Sequence, residues 1–94
     1  MKGYQKLIDK ITAPDDFEAA ACRGLPCIRM ASDRIVYIDG HRGIIEYDKE
    51  VIKLSAKGRK IILKGKDMYI ASFSKDFMKI CGRIISVDFE RAER

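Results

Sequence analysis

The chain has no tryptophan, one histidine and two prolines, and none of its apolar runs approaches the roughly 18 residues that a spanning helix needs. A membrane-crossing helix is therefore not expected. The opening MKGYQKLIDK also lacks the uninterrupted apolar core of a signal peptide, which makes a cytoplasmic location the expectation. Cysteine chemistry is equally short of material. Cys22, Cys27 and Cys81 are odd in number, contain no CxxC pair and have only His41 to join them, which argues against a structural zinc site and against a disulfide framework. Cys81 alternates with apolar neighbours in MKICGRI and reads as a small buried hydrophobe rather than a reactive thiol.

What is present is an ordinary globular balance, 47% hydrophobic against 35% charged residues, far from the composition of a disordered chain. Ninety-four residues make one domain near the lower end of what buries enough apolar surface to fold alone, so association into a homo-oligomer is an expected source of stability. The net charge of +5 is unevenly spread: residues 53–67 alone sum to +5, and the remaining segments cancel. A local excess of this kind is a footprint for nucleic acid or an anionic lipid surface, or simply the wet side of a strand.

The first 24 residues read as helical. Tyr4, Leu7, Ile8 and Ile11 fall at i, i+3, i+4 and i+7, which makes one apolar stripe of about three turns. Pro14 stops it, and the stretch that follows is either a second short helix, capped by Asp15 or Asp16 and ended by Gly24, or an extended segment. From Leu25 to the end at residue 94 the texture is that of a separate β domain, with β-branched and aromatic residues in short runs between turn signals. Strands are expected over 26–31, 34–39, 43–48, 51–56, 59–65, 67–73, 77–82 and 83–89. The connections are too short for crossover helices, so neighbours must pair antiparallel. The expected fold is mainly β, an antiparallel meander curled into a sandwich, a roll or stacked layers, preceded by the short amphipathic helix.

Side-chain direction sorts the basic stretch KGRKIILKGKD. With a period of two, Arg59, Ile61, Leu63 and Gly65 face one way, and Lys60, Ile62, Lys64 and Lys66 form a stripe facing the other. The following strand brings no second basic row and its aromatics read as core, so nucleic acid is disfavoured against a solvated or edge-protecting face. A phosphate-binding P-loop is rejected because Asp67 stands where Ser or Thr is required and a strand follows. Gly65 reads as a tight turn or bulge at which Lys64-Gly65-Lys66 reverses the chain.

In IDGHRGIIEYD, Asp39-Gly40 and Gly43 bracket a hairpin turn with His41 and Arg42 at its tip. A histidine there lacks a nucleophile or a carboxylate pair converging on it, so it reads as a turn or contact residue, and His41→Ala is expected to be tolerated. No catalytic, cofactor-binding or metal-binding residue is expected. The candidate interaction surface is Lys60, Lys64, Lys66, His41 and Arg42, and the structural glycines are Gly43, Gly65 and Gly82.

The run IVYIDGHRGIIEYDKEVIKLSAKGRKIILKGKDMYI, followed by CGRIISVDF, resembles the YabP/YqfC family of spore proteins, with the HRGI turn pointing to the YqfC branch. The resemblance spans about residues 25–90. It implies a non-enzymatic role in endospore formation, in the mother-cell cytoplasm or peripheral at the forespore outer membrane. It also implies a membrane-protein partner of the YqfD or YabQ type, and no small-molecule substrate or cofactor. The rival expectation is a small basic nucleic-acid-binding β domain.

Overall fold

The structure, a computed structural model, describes residues 24–91. The two expected N-terminal helices, with the stripe of Tyr4, Leu7, Ile8 and Ile11, lie outside the described residues. Within them the chain forms six strands: β1 (Cys27–Ala31), β2 (Ile35–Asp39), β3 (His41–Tyr47), β4 (Val51–Ala56), β5 (Arg59–Phe73) and β6 (Phe77–Arg91). All belong to one sheet of order β1-β2-β6-β5-β4-β3, and every neighbouring pair is antiparallel.

The expected antiparallel β architecture is what forms, with two differences of detail. Six strands replace eight, because 59–65 and 67–73 are one continuous strand, as are 77–82 and 83–89. Lys64-Gly65-Lys66 therefore does not reverse the chain. The residues that read as turns are bulges, where the β5–β6 ladder slips register at Lys64/Gly65 and again at Lys66/Tyr69 before continuing. Nor do β2 and β3 pair, although Gly40 alone separates them. Gly40, with φ of 93°, turns a corner that sends β3 to the opposite edge of the sheet, and its N–H donates to the Asp76 carbonyl at 2.7 Å.

The kinked β5 and β6 divide the sheet into two halves. The first half of β6 pairs with β2, and the first half of β5 pairs with β4. The inner positions of β2 and β4 alternate cleanly with outer ones, as a half-buried strand requires. Val36, Ile38, Met78 and Ile80 from one half join Ile52, Leu54, Ile61 and Leu63 from the other in one cluster from which water is excluded. A single twisted sheet buries one face this completely only by folding that face upon itself, so the halves pack as two layers. Each such side chain contributes roughly 1.5–3 kcal/mol of burial free energy.

The halves repeat one another in an approximate two-fold manner. At the β1–β2 turn, Arg34 and Asp33 carbonyls accept from the N–H groups of Gly82 (3.1 Å) and Ile84 (2.7 Å) on β6. At the β3–β4 turn, Glu50 and Lys49 carbonyls accept from Gly65 (3.1 Å) and Met68 (2.9 Å) on β5. The bulge frees backbone donors from the ladder, and the hairpin turns satisfy them.

The two bulges meet back to back. A Cβ on Gly65 would collide with the Arg83 carbonyl oxygen, and one on Gly82 would lie 2.7 Å from the Met68 Cα. Only glycine permits this approach. Gly82→Ala is expected to lower unfolding stability by about 3 kcal/mol or to abolish cooperative unfolding, since the obstruction is backbone rather than a movable side chain. Urea denaturation measures it, and an unchanged midpoint would show that the crossing relaxes freely.

Candidate functional site

The fold separates the residues that sequence placed together. Lys60 and Lys64 do project from the outer face of the β3-β4-β5 half with Ile62 between them, but they meet acidic neighbours there. Lys60 lies opposite Glu90 and Ile62 opposite Asp88 on β6, while Lys53 on β4 pairs with Glu46 on β3 at 3.8 Å. Lys53, Lys60 and Lys64 thus share this face with Glu46, Asp88 and Glu90 on neighbouring strands, although Lys64 itself lies opposite Ser86. Cross-strand opposition of unlike charges is mildly stabilising and cancels the field of a basic stripe. The charge excess of residues 53–67 is a property of the segment and is not expressed on this face.

Lys66 parts from the other two lysines at the kink. It lies opposite Arg83 and lines a shallow cavity of about 430 Å³ with Arg34, Ile35, Asp67, Tyr69, Cys81 and Arg83. His41 is not at a turn tip. It opens β3, is 4% exposed, and its Nε2–H donates to the Ser74 carbonyl at 3.1 Å while the ring packs 5.4 Å from Phe73. It belongs to the seam that holds β3 against the β5–β6 hairpin, and so cannot serve as part of an exposed contact surface. Its Nδ1 is buried without a hydrogen-bond partner. Arg42 beside it is exposed. Gly43 sits within β3 at a register shift, with φ of 153° and open space where a Cβ would be. A second link across the seam is the Tyr47 hydroxyl, which accepts from the Ile70 N–H at 3.1 Å.

A surface that sequence reading missed lies on the outer face of the other half. Arg29, Tyr37, Lys79 and Ser72 are register partners across β1, β2, β6 and β5, so they share that face in a row. The Arg29 guanidinium and the Lys79 ammonium each sit 5.8 Å from the Tyr37 ring centroid, and Phe77 stacks on the same ring at 6.3 Å. The adjoining row is Ile35, Cys81 and Tyr69, which leads to the Lys66 cavity. Five cations, Arg29, Arg34, Lys66, Lys79 and Arg83, occupy this side of the molecule. The nearby carboxylates are Asp39 at the far end, Asp67 at the cavity, and Asp33, which accepts from the Ser32 hydroxyl at 3.2 Å. The residues come from two hairpins, β1–β2 and β5–β6, that are distant from one another in sequence, and no composition window brings them together.

Among the described residues no group of three or more His, Cys, Asp or Glu side chains is placed to hold a metal ion. Cys27 is buried and Cys81 half-buried, and both are free thiols. The Ser32 hydroxyl and the Asp33 carboxylate that touch at 3.2 Å are exposed chain neighbours at the β1–β2 turn. The architecture defines a small antiparallel β domain with two charged outer faces, an arrangement suited to contact with other molecules. The family model described as the YabP family matches residues 26–94, and the chain belongs to that family. Membership is consistent with a protein of spore formation, and the family is not a known enzyme family. Neither a curated protein nor a solved structure matches the chain.

The burial of His41 reverses the expectation of tolerance. His41→Ala removes the hydrogen bond to Ser74 and the packing on Phe73, and is expected to cost about 1–3 kcal/mol in chemical denaturation. Lys60→Gln with Lys64→Gln is expected to change stability by no more than about 0.5 kcal/mol per site. Equal effects of the two changes would place His41 outside the structural seam.

Proposed function

We propose that this protein is a non-enzymatic structural component of spore formation that self-associates in the mother cell and acts with a membrane partner at the forespore surface. The observation that carries the reading is the family match over residues 26–94. The shape of the domain supports it. Strand β1 pairs only with β2, and residues 84–91 of β6 pair only with β5, so each leaves one row of backbone donors and acceptors without a ladder partner. Apolar side chains accompany these edges: Met30 on β1, and Ile85 and Phe89 on β6, are all about half exposed or more. Open edges with apolar side chains are the features by which sheets add further strands.

A domain of this size also gains stability when such edges are covered. The expected state is a homodimer or larger assembly at micromolar concentration, which then presents several copies of the partner-binding surface at once. Sedimentation equilibrium tests the assembly. Phe89→Lys or Met30→Lys is expected to shift it toward the monomer with the fold intact, because a charge at an edge opposes strand addition. A wild-type chain that sediments only at 10.7 kDa across that range overturns self-association. The membrane-partner claim is tested separately, by co-purification of a membrane protein with the tagged chain from sporulating cells.

A further inference from the structure

Positive charge gathers on the outer face of the β1-β2-β6 half, where Arg29 and Lys79 flank Tyr37, and at the kink, where Arg34, Lys66 and Arg83 rim one cavity together with Asp67. We propose that this face docks directly on an anionic bilayer, with the Arg34, Lys66 and Arg83 cavity receiving a lipid headgroup phosphate. The inference deepens the reading of the protein as a component at the forespore surface and rests on it for the source of the bilayer.

Charge complementarity is the first argument. Arg29 and Lys79 have neutral register partners, Tyr37 and Ser72, so their fields add where those of Lys53 and Lys60 are cancelled by Glu46 and Glu90. Among the described residues the cations Arg29, Arg34, Lys66, Lys79 and Arg83 outnumber Asp33, Asp39 and Asp67 on this side, whereas Lys53, Lys60 and Lys64 share their face with Glu46, Asp88 and Glu90, and this difference favours the first side for an anionic surface. Basic side chains held against such a surface strengthen partitioning by roughly fivefold each.

Shape and aromatic placement separate a membrane from a nucleic acid. A single strand is held by a groove whose aromatic rings are open for bases to stack on. Here the Tyr37 ring is already in contact with Arg29, Lys79 and Phe77, and the cavity beside Tyr69 is shallow. A sheet face with Tyr37 and Tyr69 among cations matches the headgroup layer, where amphipathic rings and basic side chains both concentrate. Tyr69, 54% exposed at the cavity rim, is the ring best placed to enter it.

The test is vesicle co-sedimentation of the full chain. Vesicles of equal parts phosphatidylcholine and phosphatidylglycerol are expected to capture it at low salt, high salt to release it, and vesicles of phosphatidylcholine alone to leave it in solution. The R29Q/K79Q/R83Q variant is expected to lose roughly a hundredfold in partitioning. K60Q/K64Q is expected to stay within about twofold, because its charges lie across two sheet layers, further than a Debye length of about 8 Å. The single change Arg29→Glu, at an exposed site on an edge strand, repeats the loss without disturbing the kink. Equal capture by neutral and anionic vesicles, or equal loss from the two multiple variants, overturns the proposal. So does capture of a single-stranded oligonucleotide through Arg29, Lys79 and Arg83 by a chain that ignores vesicles, which would make the face a nucleic-acid surface. A wild-type chain that ignores anionic vesicles yet still co-purifies with a membrane protein overturns direct lipid contact alone and leaves the proposed function standing.

Discussion

The back-to-back contact of Gly65 and Gly82 is the constraint on which the rest of this structure depends. Two strands of fifteen residues, laid side by side without interruption, would make a long open ribbon with both faces wet. At the crossing each backbone approaches the other closely enough to exclude a Cβ, and the slipped register bends both strands at the same level. The bend turns the inner faces of the two halves toward one another and creates the core. It also releases the N–H groups of Gly65, Met68, Gly82 and Ile84, and the turns before β2 and β4 are positioned by accepting them. The hairpins that supply half of the core are thus docked by the defect that folds the sheet.

The same bend decides what the surface does with charge. Before it, β5 carries Lys60 and Lys64 on a face shared with Asp88 and Glu90; after it, Lys66 has moved to a cavity with Arg34 and Arg83. One stripe in the sequence becomes part of two faces with different net character. Surface electrostatics of a sheet are set by rows that run across strands, and a row joins residues separated by tens of positions in the chain. Arg29, Tyr37 and Lys79 form such a row, and their cation–π contacts hold two like charges on either side of one ring.

How far the sequence is legible follows from which interactions are local. The alternation in IVYID and VIKLSA reports buried and exposed sides directly, and those strands lie where the pattern puts them, within a residue or so. The antiparallel arrangement is legible from the short connections. The continuity of β5 and β6 is not, because Gly-Lys-Asp and Gly-Arg carry the composition of a turn whether the chain reverses or bulges; the choice is made by the partner strand. Nor is the internal repetition obvious, since Cys81-Gly82-Arg83 and Lys64-Gly65-Lys66 correspond only once the hydrogen bonds of Arg34 and Glu50 are known. His41 misleads for a related reason. Asp-Gly before it signals a turn, but Gly40 makes a corner from β2 to β3 at the far edge of the sheet, and the imidazole is held by Phe73 and Ser74, more than thirty residues away.

The basic face and the open edges point in different directions, and that geometry bears on how assembly and docking combine. Edge pairing extends a sheet within its own plane, whereas the row of Arg29, Tyr37 and Lys79 projects perpendicular to it. A second copy added at β1 or at the end of β6 therefore need not cover the cations. If the two copies are related by an axis normal to the sheet, their basic faces lie on the same side and engage one surface together; if the axis lies in the sheet plane, the faces point oppositely and only one copy engages. For the first arrangement the binding of one copy places the next at high effective concentration over the same surface, so a weak contact per domain suffices for stable attachment. A 94-residue domain with marginal core and modest charge is then adequate as a building unit, because neither its stability nor its affinity has to be supplied by one copy alone.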